Sequence, residues 1–299
     1  MHYNTQNINI RVQSLSDWIT GGYCKADVLR LDQVHPIVSG NKWFKLKYYL
    51  ETALRTGRDT IASFGGAYSN HIVALAFAGK DLGFKTTGFI RGDALTPLSH
   101  TLLQARSYGM ELVFTDRTTY RDKENIMQTR THPNWYWVPE GGYGPEGARG
   151  AAEILQLTDV SNYTHIICAV GTGTMMAGLI KTAAVHQEVT GVSVMKGNPS
   201  LEQAVRLLLD STDRQKKFHI LPDHHFGGYG RHPEALLQFM RETWLHEQLP
   251  TDIVYTSKLL YAVKENIAKG YFPPGSSLLL IHSGGLQGNN SLPPYTLPF

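Results

Sequence analysis

The chain has 299 residues, a formal net charge of +3 and two cysteines, a length that suits about two domains of ordinary size. Its 28 basic and 25 acidic residues are interspersed, which excludes the basic stripe a nucleic-acid partner needs, and Cys24 and Cys168 are too few and too far apart for a disulfide framework or a thiolate metal cluster. The polar start over 1–10 lacks an apolar signal core, and no run approaches about 18 apolar residues, so a cytoplasmic protein without membrane contact is expected.

In chain order, Ser39-Gly40-Asn41-Lys42 is the first informative break. Trp43, Leu46, Leu50, Ala53 and Leu54 then recur at helical spacing, predicting a helix over 42–55 with Asn41 as its cap. Lys42 falls in the first turn, where free N–H groups and the macrodipole disfavour an ammonium. Such a lysine either reaches solvent, as the nearby Lys45 and Lys47 suggest, or serves as a Schiff base or phosphate ligand. Next come a strand over 60–64 ending in Gly65-Gly66 and a helix over 72–82 opened by Ser69-Asn70-His71. Strands over 86–91, 111–114 and 135–138 alternate with helices over 97–108 and 120–130, which implies a parallel sheet with helical crossovers. The glycine-rich loop over 140–145 reads as a domain crossing. The pattern restarts with a helix over 151–157, a strand over 164–170, a glycine turn over 171–174, a helix over 175–186 and a strand over 190–194. Helices follow over 201–209, 233–246 and 257–268, with a polar, glycine-rich loop over 222–232 of the kind that carries function. A buried strand over 276–281 runs into His282-Ser283-Gly284-Gly285.

Three strand-to-turn segments, 63–71, 170–174 and 281–285, share glycines that let backbone amides approach a ligand. Ligands of open α/β sheets gather outside the carboxyl ends of strands, so a single site fed by all three is expected. Gly171-Thr172-Gly173-Thr174 ahead of a helix offers a phosphate free amides, a dipole and two hydroxyls; the same glycines would equally serve a tightly packed turn. As a dinucleotide loop it is a weak match, with Met176 at the last glycine, and no Walker lysine follows. Ser69-Asn70-His71 either caps its helix or, as a set, holds a carboxylate and a neutral oxygen of a ligand. Tyr229 and Tyr255 are either packing or site residues. Asp223-His224-His225 has the wrong spacing for ligands on one helix face, and no metal is assigned.

A reactive lysine, a carboxylate loop and a phosphate loop on an α/β scaffold are the parts that hold pyridoxal phosphate. In Leu29-Arg30-Leu31-Asp32, residues 39–42, 64–71 and 171–178, and His282-Ser283-Gly284-Gly285, the chain resembles the 1-aminocyclopropane-1-carboxylate deaminase and D-cysteine desulfhydrase family of fold-type II, tryptophan-synthase β-like enzymes. The resemblance implies a two-domain α/β fold, each domain a mostly parallel sheet flanked by helices. A small domain over 45–140 would be inserted into a large one built from 1–44 and 141–299, and the chain would form a homodimer. By the same resemblance, Lys42 would hold the cofactor as a Schiff base and Asn70 would bond its phenolic oxygen. Ser69, with the amides around Asn70 and His71, would take the substrate carboxylate. Gly171, Thr172, Gly173 and Thr174 would take the phosphate, Tyr229 and Tyr255 would face the substrate, and Thr256 and Ser283 would lie near the pyridine nitrogen. Relatives that open the cyclopropane ring carry a glutamate just after the tyrosine, where this chain has Thr256. A hydroxyl leaves the ring nitrogen closer to neutral and favours expulsion of a β-leaving group. D-cysteine, giving pyruvate, sulfide and ammonia, is therefore the expected small amino-acid substrate, with Lys42 or Ser69 carrying the α-proton. The cyclopropane acid is the alternative, and a Rossmann-like nucleotide-binding or regulatory protein is the reading from another class. Phe44 and Met175 depart from the pattern, standing where relatives carry a basic residue and a hydroxyl.

Overall fold

Leu278, Leu279, Leu280 and Ile281 are all fully buried, as a strand must be when both faces of its sheet are covered. The computed structural model describes residues 10–94, 97–130 and 132–299; most of the polar start, 1–9, lies outside them. In order, the elements are β1 (Val12–Ser14), α1 (Asp17–Thr20), β2 (Lys25–Leu29), α2 (Asn41–Arg55), β3 (Thr60–Gly65), α3 (Asn70–Asp81), β4 (Lys85–Arg91), α4 (His100–Ser107), β5 (Glu111–Thr115), α5 (Arg117–Arg121), α6 (Lys123–Arg130), β6 (Trp135–Val138), α7 (Pro145–Ala151), β7 (His165–Val170), α8 (Thr174–Thr182), β8 (Glu188–Ser193), α9 (Leu201–Arg206), β9 (Phe218–Leu221), α10 (Glu234–Glu247), α11 (Thr256–Ala268) and β10 (Ser277–Ile281).

Among the described residues ten strands form two sheets, β1-β2-β10-β7-β8-β9 and β5-β4-β3-β6. Every pairing is parallel except that of β1 with β2. Alternation along β10 and β7 divides the apolar residues of the larger sheet. Leu278, Leu280, Ile167 and Ala169 pack with Leu259, Leu260 and Val263 of α11. Leu279, Ile281, Ile166 and Cys168 pack toward α2, α7 and α8. The smaller sheet sends Ile61 and Ile90 into that second core, while Ala62, Phe64 and Phe89 join Tyr120, Trp135 and Trp137 on its other face.

Some elements differ from the sequence expectation for local reasons. The helix expected over 120–130 is two, α5 and α6, because Asp122 leaves the helical region and its carboxylate accepts from the Asn125 amide at 3.0 Å. The helix expected over 151–157 instead begins at Pro145, a residue suited to the first helical position, and ends at Ala151. Its glycines are packing positions: a Cβ on Gly150 would overlap the Phe44 carbonyl oxygen. The helix expected to 186 stops at Thr182. Strands β1, β2 and β9 were not expected because strands of three, five and four residues carry little periodic signal.

Candidate active site

The N-terminus of α2 is pressed against the turn after β10. Gly40 precedes the helix at φ 64°, and a Cβ there would overlap the Ser283 carbonyl oxygen. That carbonyl accepts from the Asn41 amide at 3.1 Å. Gly40, not Asn41, is therefore the cap, and Asn41 is the first helical residue, its side chain donating to Met175 Sδ at 3.5 Å. The departure at Met175 thus serves a side chain next to Lys42. Phe44 is fully buried core, which explains an apolar residue at that position.

Lys42 follows, with its pKa down at about 8. Burial is the main cause, partly offset by a hydrogen bond with Lys45. The expected direction of shift is present, but burial supplies it. The second amine is one the sequence concealed. Lys45 is only 3% exposed and its Nζ reaches Thr172 Oγ1 at 3.4 Å, so no solvated basic face exists there. Three residues from Lys42, it shares a helix face with it, and that spacing was the available signal. Lys47 instead pairs with Glu153 at 2.9 Å. Burial and the neighbouring Lys42 charge hold Lys45 well below the ordinary lysine range.

His71 lies beside these amines. Burial, with the Lys42 and Lys45 charges, keeps its imidazole neutral. Ser63 Oγ donates to the Val138 carbonyl at 2.7 Å, so it accepts from His71 Nε2–H at 2.8 Å. Among the described residues Nδ1 is left buried and without a partner.

On the facing side, the turn from β7 into α8 presents Thr172 and Thr174, whose hydroxyls are 3.0 Å apart. No side chain caps α8, which leaves its first-turn amides for a ligand. Gly171 brings the backbone against the ring of Tyr255, where a Cβ would stand 3.3 Å away. Ser69 caps α3 by accepting from the Ile72 amide at 3.3 Å. Asn70 donates from Nδ2 to the Gly285 carbonyl at 3.0 Å, while its Oδ1 is buried without a partner among the described residues. Two lysine amines, two hydroxyls, free helix amides and the orphaned acceptors Asn70 Oδ1 and His71 Nδ1 form a set of polar groups that fits a phosphorylated aromatic aldehyde such as pyridoxal phosphate.

Tyr255 and Tyr229 meet across this cradle, hydroxyls 3.4 Å apart and rings edge to face. Burial pushes the Tyr255 phenol well up, so it remains protonated and a donor. Thr256 is anchored from behind by Asp252, which the sequence reading missed. The buried Asp252 carboxylate accepts from the amides of Val254, Tyr255 and Thr256 at 2.8, 2.9 and 2.8 Å and from Thr256 Oγ1 at 2.7 Å. Its four lone-pair positions are thereby filled. Thr256 Oγ1 also accepts from the Asp252 amide at 2.7 Å. Of the Asp-His-His run, His224 bonds Glu265 at 2.7 Å and His225 accepts from the Gly227 amide at 2.9 Å. Of the three glycine turns expected to feed one site, two touch directly, Asn70 on Gly285, and α2 links the third to them through Gly40 against Ser283 and Lys45 against Thr172.

The family described as pyridoxal-phosphate dependent enzyme matches residues 23–284. A protein of Thermotoga maritima that carries the name 1-aminocyclopropane-1-carboxylate deaminase provisionally is 29% identical, over 87% of this chain and 88% of its own. The 1-aminocyclopropane-1-carboxylate deaminase of Rhizobium radiobacter is 27% identical, over 85% and 84%. A solved structure described as an ACC deaminase homologue shares the fold, with a TM-score of 0.79 at 24% identity over 94% of this chain and 90% of its own.

Proposed function

The chain belongs to the family of pyridoxal-phosphate dependent enzymes, resembling its 1-aminocyclopropane-1-carboxylate deaminases, and from that premise we propose that it is a lyase acting on D-cysteine. One water is consumed per turnover and pyruvate, sulfide and ammonia are released. Thr256 is the observation that carries the choice of substrate. The position after Tyr255 offers a neutral hydroxyl oxygen, and the acid behind it is saturated by its own helix cap. A neutral oxygen holds a proton on a ring nitrogen less firmly than a carboxylate does, which suits prompt loss of a β-substituent.

Bound pyridoxal phosphate supplies the electron sink for the α-carbanion. The chain's own groups do the rest. Lys42 Nζ, easily freed of its proton, holds the cofactor covalently and is one candidate to move the α-proton; Ser69 Oγ is the other. Lys45, the two threonine hydroxyls and the amides that open α8 hold the phosphate, whose charge would draw a proton back to Lys45. Asn70 has an amide proton left for the phenolic oxygen. Ser69, with the amides of Asn70 and His71, takes the substrate carboxylate at the start of α3. Tyr229 and Tyr255 would face the substrate, Tyr255 donating to Tyr229 Oη and leaving the Tyr229 hydroxyl proton for the substrate, and Ser283 with Thr256 would take the pyridine nitrogen. We also propose a homodimer in the cytoplasm. Cys24 and Cys168 are unpaired, and among the described residues no helix is long and apolar enough to cross a membrane. Sedimentation at twice 33.3 kDa would bear out the dimer.

The test is borohydride reduction of the protein loaded with cofactor, followed by peptide mapping and a substrate screen. Phosphopyridoxyl on Lys42 and sulfide from D-cysteine are expected. Release of 2-oxobutanoate from the cyclopropane acid without sulfide from D-cysteine would replace the substrate, and an unlabelled Lys42 would remove its role.

A further inference from the structure

Lys258 is fully buried, yet forms no ion pair among the described residues. Its Nζ donates instead to two backbone carbonyls of the loop carrying Tyr229, those of His225 at 3.0 Å and Gly228 at 2.8 Å. Taking an ammonium out of water without a paired carboxylate is costly; burial brings its pKa down to about 8 although the Asp252 charge opposes that shift, and an apolar residue would avoid the cost.

What the cation achieves is legible in the stripe to which it belongs. Tyr255, at the N-cap position of α11, and Lys258 and Tyr261 within it recur every three residues and so share a face. The loop lies along that face, contact by contact. Tyr229 meets Tyr255 hydroxyl to hydroxyl at 3.4 Å, the 225 and 228 carbonyls meet Lys258, and the Phe226 ring stands edge-on to Tyr261 at 4.8 Å. The loop needs such fastening, because one non-glycine residue stands in the left-handed region and three glycines leave the backbone free to adopt other conformations. Phe226 has φ 51°, and Gly227, Gly228 and Gly230 have positive φ as well. The loop also borders an open cavity of about 390 Å³ lined by Phe226, Gly227, Gly230, Arg231, His232 and Pro233. Two turn hydrogen bonds within the loop use the same two carbonyls, from the amides of Gly228 and Arg231. The ammonium therefore pulls on the oxygens that already define the turn.

We infer that Lys258 is a positioning residue that sets where Tyr229 stands over the site, so that substrate affinity depends on a cation that never touches substrate. The inference rests on the proposal that Tyr229 faces the substrate.

The experiment compares K258M, K258Q, Y229F and K258M/Y229F holoenzymes with the unaltered protein, by hydrogen exchange of the 225–231 peptide, phosphopyridoxyl labelling of Lys42 and steady-state sulfide release from D-cysteine. Losing two hydrogen bonds from a charged donor predicts that K258M exchanges loop amides about tenfold faster and raises KM about tenfold with a smaller change in kcat. Lys42 labelling is expected to persist. K258Q, which keeps two N–H donors, is expected to recover part of the loss and is the second variant should K258M not accumulate. The double variant is expected to be no worse than the more impaired single, since Lys258 acts through Tyr229. Unchanged loop exchange in the Lys258 variants, or additive losses in the double variant, would overturn the inference alone. An unaltered Y229F would overturn the substrate-facing role of Tyr229, and the inference with it. The loop-exchange result does not depend on which amino acid is turned over.

Discussion

At pH 8 about half of Lys42 in the cofactor-free protein is free amine, because burial brings its pKa down to about 8, whereas an ordinary lysine is below about 1% neutral there. Acylation of Lys42 is accordingly expected to level off above about pH 8, while exposed lysines go on gaining reactivity beyond pH 10; quantitative peptide mapping across pH checks this. The sign for stability follows. With the folded pKa depressed, the unfolded chain binds the extra proton above pH 8, so this group's contribution rises from about pH 8 to about pH 10. Lys45 has a different task. Replacing it with methionine is expected to weaken cofactor binding by about ten- to a hundredfold, the usual worth of a charge-assisted hydrogen bond, while leaving Lys42 able to form its adduct at saturating cofactor. A spectral titration would show both. The lysine at the break was legible because glycine and asparagine precede it and a helical period follows it. Lys45 was not, because three basic residues in six read as a solvated face until Thr172 is brought against one of them.

Among the elements, the starts of α2, α3, α8 and α11 converge on the site, and each solves its orphaned amides differently. Ser69 caps α3, Asp252 caps α11 from four residues upstream, and α8 has no side-chain cap. An uncapped buried terminus is unfavourable unless a ligand supplies the acceptor; α2 also lacks a side-chain cap but gives its Asn41 amide to the Ser283 carbonyl, and on that difference rests the proposal that α8 takes the phosphate. The Asp252 cap is structural. Changing it to asparagine replaces an acceptor-only group that holds four donors, and thermal unfolding is expected to show a loss of about 2–3 kcal/mol. An unchanged midpoint would show that the carboxylate is dispensable to α11. The strand-turn-helix order of 60–82 and 164–182 could be read directly because strand period, glycine turn and helical period follow one another. The break at Asp122 and the start at Pro145 were harder, since each depends on which of two competing local hydrogen-bond patterns the chain selects.

Taken as a whole, the chain distributes its strands between two sheets, one drawn from residues 60–138 and the other from 12–29 and 165–281. We propose that the division into 45–140 and the remainder is one of chain order and not of independent stability, since Ile61 and Ile90 of one sheet share a core with Leu279 and Ile281 of the other. Calorimetry of the cofactor-free protein is expected to show one cooperative transition, and two resolved transitions would refute this. By itself the sequence determined the alternation of strands and helices, the three glycine turns, and Lys42, Asn70, Tyr229 and Tyr255 as candidates, because period, capping and turn chemistry act over a few residues. Only the tertiary structure decided that Lys45 meets a threonine 127 residues away, that Asn70 meets Gly285 across 215, that His71 is left with a bare nitrogen, and that Lys258 fastens a loop. Such contacts arise when packing closes long stretches of chain, and no local pattern records which distant groups will be desolvated together.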